Sequence, residues 1–119
     1  MCIRDSKEVV GHMSDTERIF TYRLLTFARG DTGPVPGFDE NSYTPAQQSD
    51  RVPFTLLLDE FTAVRAATLA LLRVLPPEAW DRRGVASTHT LSVRAAAWII
   101  AGHELHHRRV LEERYLSSR

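Results

Sequence analysis

Apolar side chains recur along this chain at steps of three and four residues in three long stretches, and that spacing predicts amphipathic helices. The first runs from about Lys7 to Arg29, with Val9, His12, Met13, Thr16, Ile19, Phe20, Arg23 and Phe27 on its stripe. Ser6 is placed to cap its free amides, and Gly30 suits a left-handed residue at its end. The second, Pro53 to Leu75, carries Phe54, Leu57, Leu58, Phe61, Val64, Thr68, Leu71, Leu72 and Leu75. Pro53 suits a first helical position, and Pro76-Pro77 stops the helix. The third, Ser92 to Leu116, puts Val93, Ala96, Ala97, Ile100, His103, His107, Val110, Leu111 and Arg114 on one side. Its small residues Ala95, Ala97, Ala101 and Gly102 allow another helix to come close. Gly102 costs helix stability, which predicts a packing contact beside His103.

The intervening segments lack periodicity. Gly30 to Arg51 is rich in glycine and proline and reads as a long crossover loop, with Phe38, Asp39, Glu40 and Tyr43 available to line a pocket. Glu78-Ala79-Trp80 suits one short turn, and Asp81 to Thr90 reads as a loop. No alternating pattern predicts a strand, so the expected class is all-α, a single domain over residues 1–119.

Composition narrows the functions. Fifteen basic and fifteen acidic residues cancel, which argues against nucleic acid or an anionic membrane surface as partner. No apolar run reaches the roughly 20 residues of a membrane span, and the N-terminus has no signal-peptide core. The single Cys2 forms no internal disulfide and fits a cytoplasmic protein.

Five histidines carry the candidate chemistry: His12, His89, His103, His106 and His107. His103 and His107 are four apart, so their rings leave one helix face a turn apart. His12 lies on the apolar stripe of the first helix. Neutral imidazoles suit zinc, nickel, iron or copper, and three protein nitrogens leave a coordination place open, the arrangement of catalytic sites. The plainer reading is a set of core or surface histidines. Against it, buried imidazole nitrogens need partners, and one cation satisfies three together. His106 is turned about 100° away from His107 and reads as a rim residue; His89 falls in a loop.

His103-Glu104-Leu105-His106-His107 also matches H-E-x-x-H, in which Glu104 would be a general base. The chain ends twelve residues after His107, Val110 stands where a metzincin glycine belongs, and no strand is predicted to hold a peptide. A peptidase is therefore disfavoured.

Residues 7–17, Lys-Glu-Val-Val-Gly-His-Met-Ser-Asp-Thr-Glu, and 99–107, Ile-Ile-Ala-Gly-His-Glu-Leu-His-His, together resemble the DinB/YfiT-like metalloenzyme family, as does the loop Pro36-Gly37-Phe38-Asp39-Glu40-Asn41. The resemblance covers Ser6 to Leu116. It implies an up-down-down-up four-helix bundle with a long crossover, here without the family's first helix, so residues 1–5 are expected to be non-native. It implies metal ligation by His12, His103 and His107, with zinc or nickel as the divalent ion. It further implies a transferase joining a low-molecular-weight thiol of the bacillithiol, mycothiol or glutathione type to a small electrophilic substrate. The alternative is a non-catalytic metal-binding or stress-related scaffold bundle. Asp15 and Glu104 are candidates to orient ligand nitrogens from behind; Arg18, Tyr22 and Arg23 are candidates to meet an anionic substrate. With its first helix missing, the bundle would expose an apolar groove, which predicts a homodimer.

Overall fold

The stripe from Val9 to Phe27 folds as α1, Ser6–Ala28. The computed structural model describes residues 6–31, 33–86 and 88–112, with residues 40, 110 and 111 described by backbone alone. Ser6 is the first helical residue rather than the residue before it. The far end closes as a Schellman motif: Gly30 N–H donates to Phe27 O at 3.0 Å and Asp31 N–H to Thr26 O at 2.9 Å. That geometry requires a left-handed residue, and Gly30 supplies it with φ of 80°.

The second stripe gives α3, Phe54–Val74, and the third gives α4, Val93–Leu111. Pro53 sits one position before α3 and accepts from the amides of Leu56 and Leu57. The expected continuation of α4 to Leu116, and the reading of residues 1–5, lie outside the described residues. α1 packs against both other long helices. Its contacts with α3 ascend together, Arg18 to Glu60 and Thr21 to Thr68, so these two helices are parallel. α4 is antiparallel: Leu24 and Phe27 join Val93 and Ala96 at its start, while His12 meets His103 and His107 toward its end.

A parallel pair forces the chain back along the bundle, about 34 Å for a helix the length of α1. This explains the long crossover, but the crossover is not all loop. It holds α2, Glu40–Gln47, and a single 3-10 turn, Ser49–Arg51. Asp39 starts α2 by accepting from Asn41 N at 2.9 Å, and Gln48 turns its end in the left-handed region. Two turns containing Pro45 are too short and too polar to register as a helical stripe.

The stretch expected as loop from Asp81 to Thr90 is corrected as well. After a 3-10 turn at Pro77–Asp81 it forms an antiparallel hairpin, β1 Arg83–Ala86 and β2 His89–Ser92, with Arg83 opposite Ser92 and Ala86 opposite His89. Four-residue strands offer too few alternations for a period-two pattern. Tertiary contacts hold the hairpin instead: Val35 N–H donates to Val85 O at 2.8 Å, and Val93 N–H to Arg82 O at 2.9 Å. At Gly84 a β-carbon would overlap the Phe27 ring, so backbone lies directly on that aromatic.

The core at this end gathers Leu24, Phe27, Val35, Leu75, Ala79 and Val93, among others. Burying one such large apolar side chain contributes about 1.5–3 kcal/mol. The opposite end of α1 and α4 is where the histidines meet. Two packing expectations fail: Phe54 and Leu58 face solvent, and a β-carbon on the exposed Gly102 would meet nothing within 4 Å. No described helix is long and apolar enough to cross a membrane.

Candidate metal centre

His12 leaves α1 toward α4, where His103 and His107 stand one turn apart. The antiparallel pairing of the two helices brings the first turns of α1 to the last turns of α4. His12 Nε2 lies 3.1 Å from His103 Nε2, and His107 Nε2 lies 3.1 Å from the same atom. The ring centroids are 5.0, 4.8 and 4.4 Å apart, at steep interplanar angles, so the imidazoles meet by their edges around a point rather than stacking. One ring nitrogen from each residue falls within 4.8 Å of the others.

His12 is 2% exposed and His107 4%, while His103 is half-buried. Burial lowers the pKa of His12. His107 is pushed down to about 3, first by burial and then by the neighbouring rings of His103, His12 and His106. Both are neutral at pH 7 and can present a lone pair, the form in which imidazole ligates. Thr16, one turn along α1, places its hydroxyl 3.4 Å from His12 Nδ1. With Nδ1–H donating to that oxygen, the Nε2 lone pair is directed into the cluster.

The residues fit a metal ion. Nitrogens ligating one ion tetrahedrally at about 2.0–2.1 Å lie about 3.4 Å from one another, close to the spacing found here. Three neutral imidazoles can share protons only partly among their converging nitrogens, whereas one cation takes all three lone pairs.

The carboxylates expected behind the ligands are engaged elsewhere. Asp15 Oδ2 accepts from Gln47 Nε2 at 2.9 Å, tying α1 to α2. Glu104 binds Arg108 one turn on, at 2.8 and 3.1 Å. Of the residues considered for an anionic substrate, Arg18 pairs with Glu60 and Tyr22 faces solvent. Arg23 is buried, donating to Pro36 O at 3.1 Å with its guanidinium over Phe20. His106 is exposed beside His107, and His89 is exposed on β2, away from the cluster. Phe38 packs edge-on against Tyr43.

Thr16 was recognisable as a stripe residue but not as a partner of His12; its four-residue spacing from His12 was the signal. A second group escaped sequence reasoning altogether. Glu17, 4% exposed, receives Arg65 through Nε at 3.1 and 3.0 Å and through Nη2 at 2.7 Å, and Thr68 Oγ1 at 2.7 Å. The available clue was Arg65, a charge set within the apolar stripe of α3. Glu17, Glu104, Phe61 and His103 border a recess of about 10 Å³ on the α3 side of the histidines, room for roughly one water molecule.

Comparison with known proteins gives three findings. The DinB superfamily profile matches residues 7–111. No curated protein matches the chain. The solved structure of YfiT from Bacillus subtilis, described as a probable metal-dependent hydrolase with an unusual four-helix bundle topology, aligns over 90% of this chain and 65% of its own, with a TM-score of 0.67 and 17% identity. The chain thus spans about two thirds of the YfiT chain, and the shared feature is the fold.

Proposed function

We propose that this chain, which belongs to the DinB superfamily, is a metal-dependent enzyme whose divalent cation is held by His12, His103 and His107. The observation that carries the reading is the convergence of three ring nitrogens, two of them on buried neutral imidazoles, within 4.8 Å. Three protein ligands leave room for a fourth from solvent or substrate. A cation bound there supplies Lewis acidity, which lowers the pKa of a ligated water or thiol toward neutrality. Zinc and nickel suit an all-imidazole set. The chain's own part is to hold the three nitrogens, to fix the His12 ring through Thr16, and to confine the space beside the cluster with Met13, Phe20 and Ile100 to about one water molecule.

The proposed reaction is transfer of a low-molecular-weight thiol to a small electrophile, as the resemblance of residues 7–17 and 99–107 implies. The description of YfiT favours hydrolysis as the second reading. Both need the cation; they differ in whether thiol or water attacks. Self-association as a homodimer is part of the proposal, supported by Trp98 and Leu105 exposed along α4; sedimentation velocity checks it.

Elemental analysis of the purified protein is expected to return about one zinc or nickel per chain. Conjugation of glutathione to a chloronitroarene, and hydrolysis of activated esters and amides, are then measured with and without chelator. Chelator-sensitive conjugation supports the transferase, and thiol-independent turnover supports the hydrolase. Metal binding without either supports the non-catalytic scaffold. Metal content unchanged in both His103→Ala and His107→Ala would refute the site.

A further inference from the structure

The cleft between α1, α2 and α3 lies on another side of α1 and shares no residue with the imidazole cluster. Its volume is about 750 Å³, within the roughly 300–1,000 Å³ of small-molecule sites. Tyr43, Ala46, Val52, Leu56 and Leu57 form its apolar wall. Leu56 is 56% exposed and Tyr43 44%, so large apolar side chains face water inside a concavity instead of joining the core.

The cleft is braced rather than collapsed. α2 is pinned to α1 at Gly11, where a β-carbon would overlap the Gln47 amide oxygen and stand 2.8 Å from Ser49 Oγ. Gln47 in turn donates to Asp15 at 2.9 Å and accepts from Ser49 at 2.8 Å. This chain of bonds fixes the wall that carries Tyr43.

The charge of the lining has one sign. Asp15, Asp59 and Glu60 line the cleft, and no described lysine or arginine does. Arg18 answers Glu60 from outside. Gln47 occupies one oxygen of the half-buried Asp15, which faces the same space as the apolar wall. We propose that this cleft binds a small organic cation, its ammonium head on the Asp15 carboxylate and its apolar body against Tyr43, Leu56 and Leu57. A carboxylate away from bulk water forms a strong charge-assisted bond with an ammonium donor, and the apolar wall rewards a hydrocarbon tail. Anionic ligands meet the carboxylates of Asp15 and Asp59, with Glu60 already paired to Arg18, and are rejected.

Calorimetric titration of the chelator-treated and the metal-loaded protein with n-hexylamine, n-hexanol and hexanoate tests the assignment. Hexylamine is expected to saturate one site equally in both preparations. Hexanol is expected to bind about tenfold more weakly, the loss of one charge-assisted bond, and hexanoate not to bind. Asp15→Asn should weaken hexylamine about tenfold and leave hexanol unchanged. Because Asp15 also braces Gln47, Leu56→Lys gives a second check: an exposed position accepts lysine, whose ammonium should occupy the head site and abolish hexylamine binding. Equal affinity for amine and alcohol, no saturation by hexylamine, or undiminished binding in a folded Leu56→Lys variant would overturn the proposal. Each of these outcomes leaves the three-histidine reading standing, since none depends on bound metal.

Discussion

Arg65→Ala strips a buried carboxylate of its cation. The substitution removes three N–H···O contacts of 3.1, 3.0 and 2.7 Å from Glu17, whose carboxylate is 4% exposed in the intact chain and keeps only the Thr68 hydroxyl as a donor. Removing one partner of a fully buried ion pair costs about 3–5 kcal/mol. The Arg65 side chain keeps partial access to water, so the lower end applies and the expected loss is about 3 kcal/mol. Replacing both partners, Glu17→Leu with Arg65→Leu, abolishes the stranded charge and adds apolar volume beside Phe61. The double variant should therefore be more stable than Arg65→Ala alone. Urea unfolding of the metal-free proteins at pH 7 measures both, with unchanged m-values showing that the same surface is exposed. A loss below about 1 kcal/mol for Arg65→Ala, or a double variant weaker than the single, would refute the reasoning, because it would mean that water already solvates Glu17.

Gly84→Ala should destabilise the protein by about 1–3 kcal/mol by driving a methyl into the fully buried Phe27, read from the urea midpoint; a neutral result would show that the hairpin can lift off that ring. Gly102→Ala, at an exposed helical position with nothing within 4 Å, should stabilise by about 0.5–1 kcal/mol, and a loss instead would reveal a helix seated there in solution. His107 is neutral in the folded chain down to about pH 3, whereas its unfolded form takes a proton near 6.5. Stability of the metal-free protein should therefore fall progressively as pH drops from about 6.5, and denaturation at pH 7.5, 6 and 5 should show a shallower decline in His107→Gln. Thr16→Val should weaken zinc binding about tenfold while preserving the fold, measured by competition with a chromophoric chelator.

The three long helices were legible because each carries an apolar stripe long enough for the 3.6-residue period to stand out. Gly30 and Pro76-Pro77 marked ends that the backbone could not pass. The three imidazoles were legible for a related reason: His103 and His107 share a face at four-residue spacing, and His12 interrupts an otherwise apolar stripe. The quoted motifs supplied the family. Local pattern could not carry what depends on distant partners. The hairpin exists because Phe27 and Val35 receive it. α2 exists because Asp39 caps it and Gly11 lets it approach. Gly102 looked like a packing residue but faces open space, since a sequence shows where a helix could come close and not whether one does. Asp15 and Glu104 look equivalent beside their histidines, yet one ties down the crossover and the other pairs with its own helix. The sequence by itself determined the helices and the set of nitrogens, because periodicity and residue chemistry are local properties. Tertiary structure decided which charges are buried, which carboxylates are already occupied, and where a cleft stays open, because desolvation and pairing are set by neighbours far away along the chain.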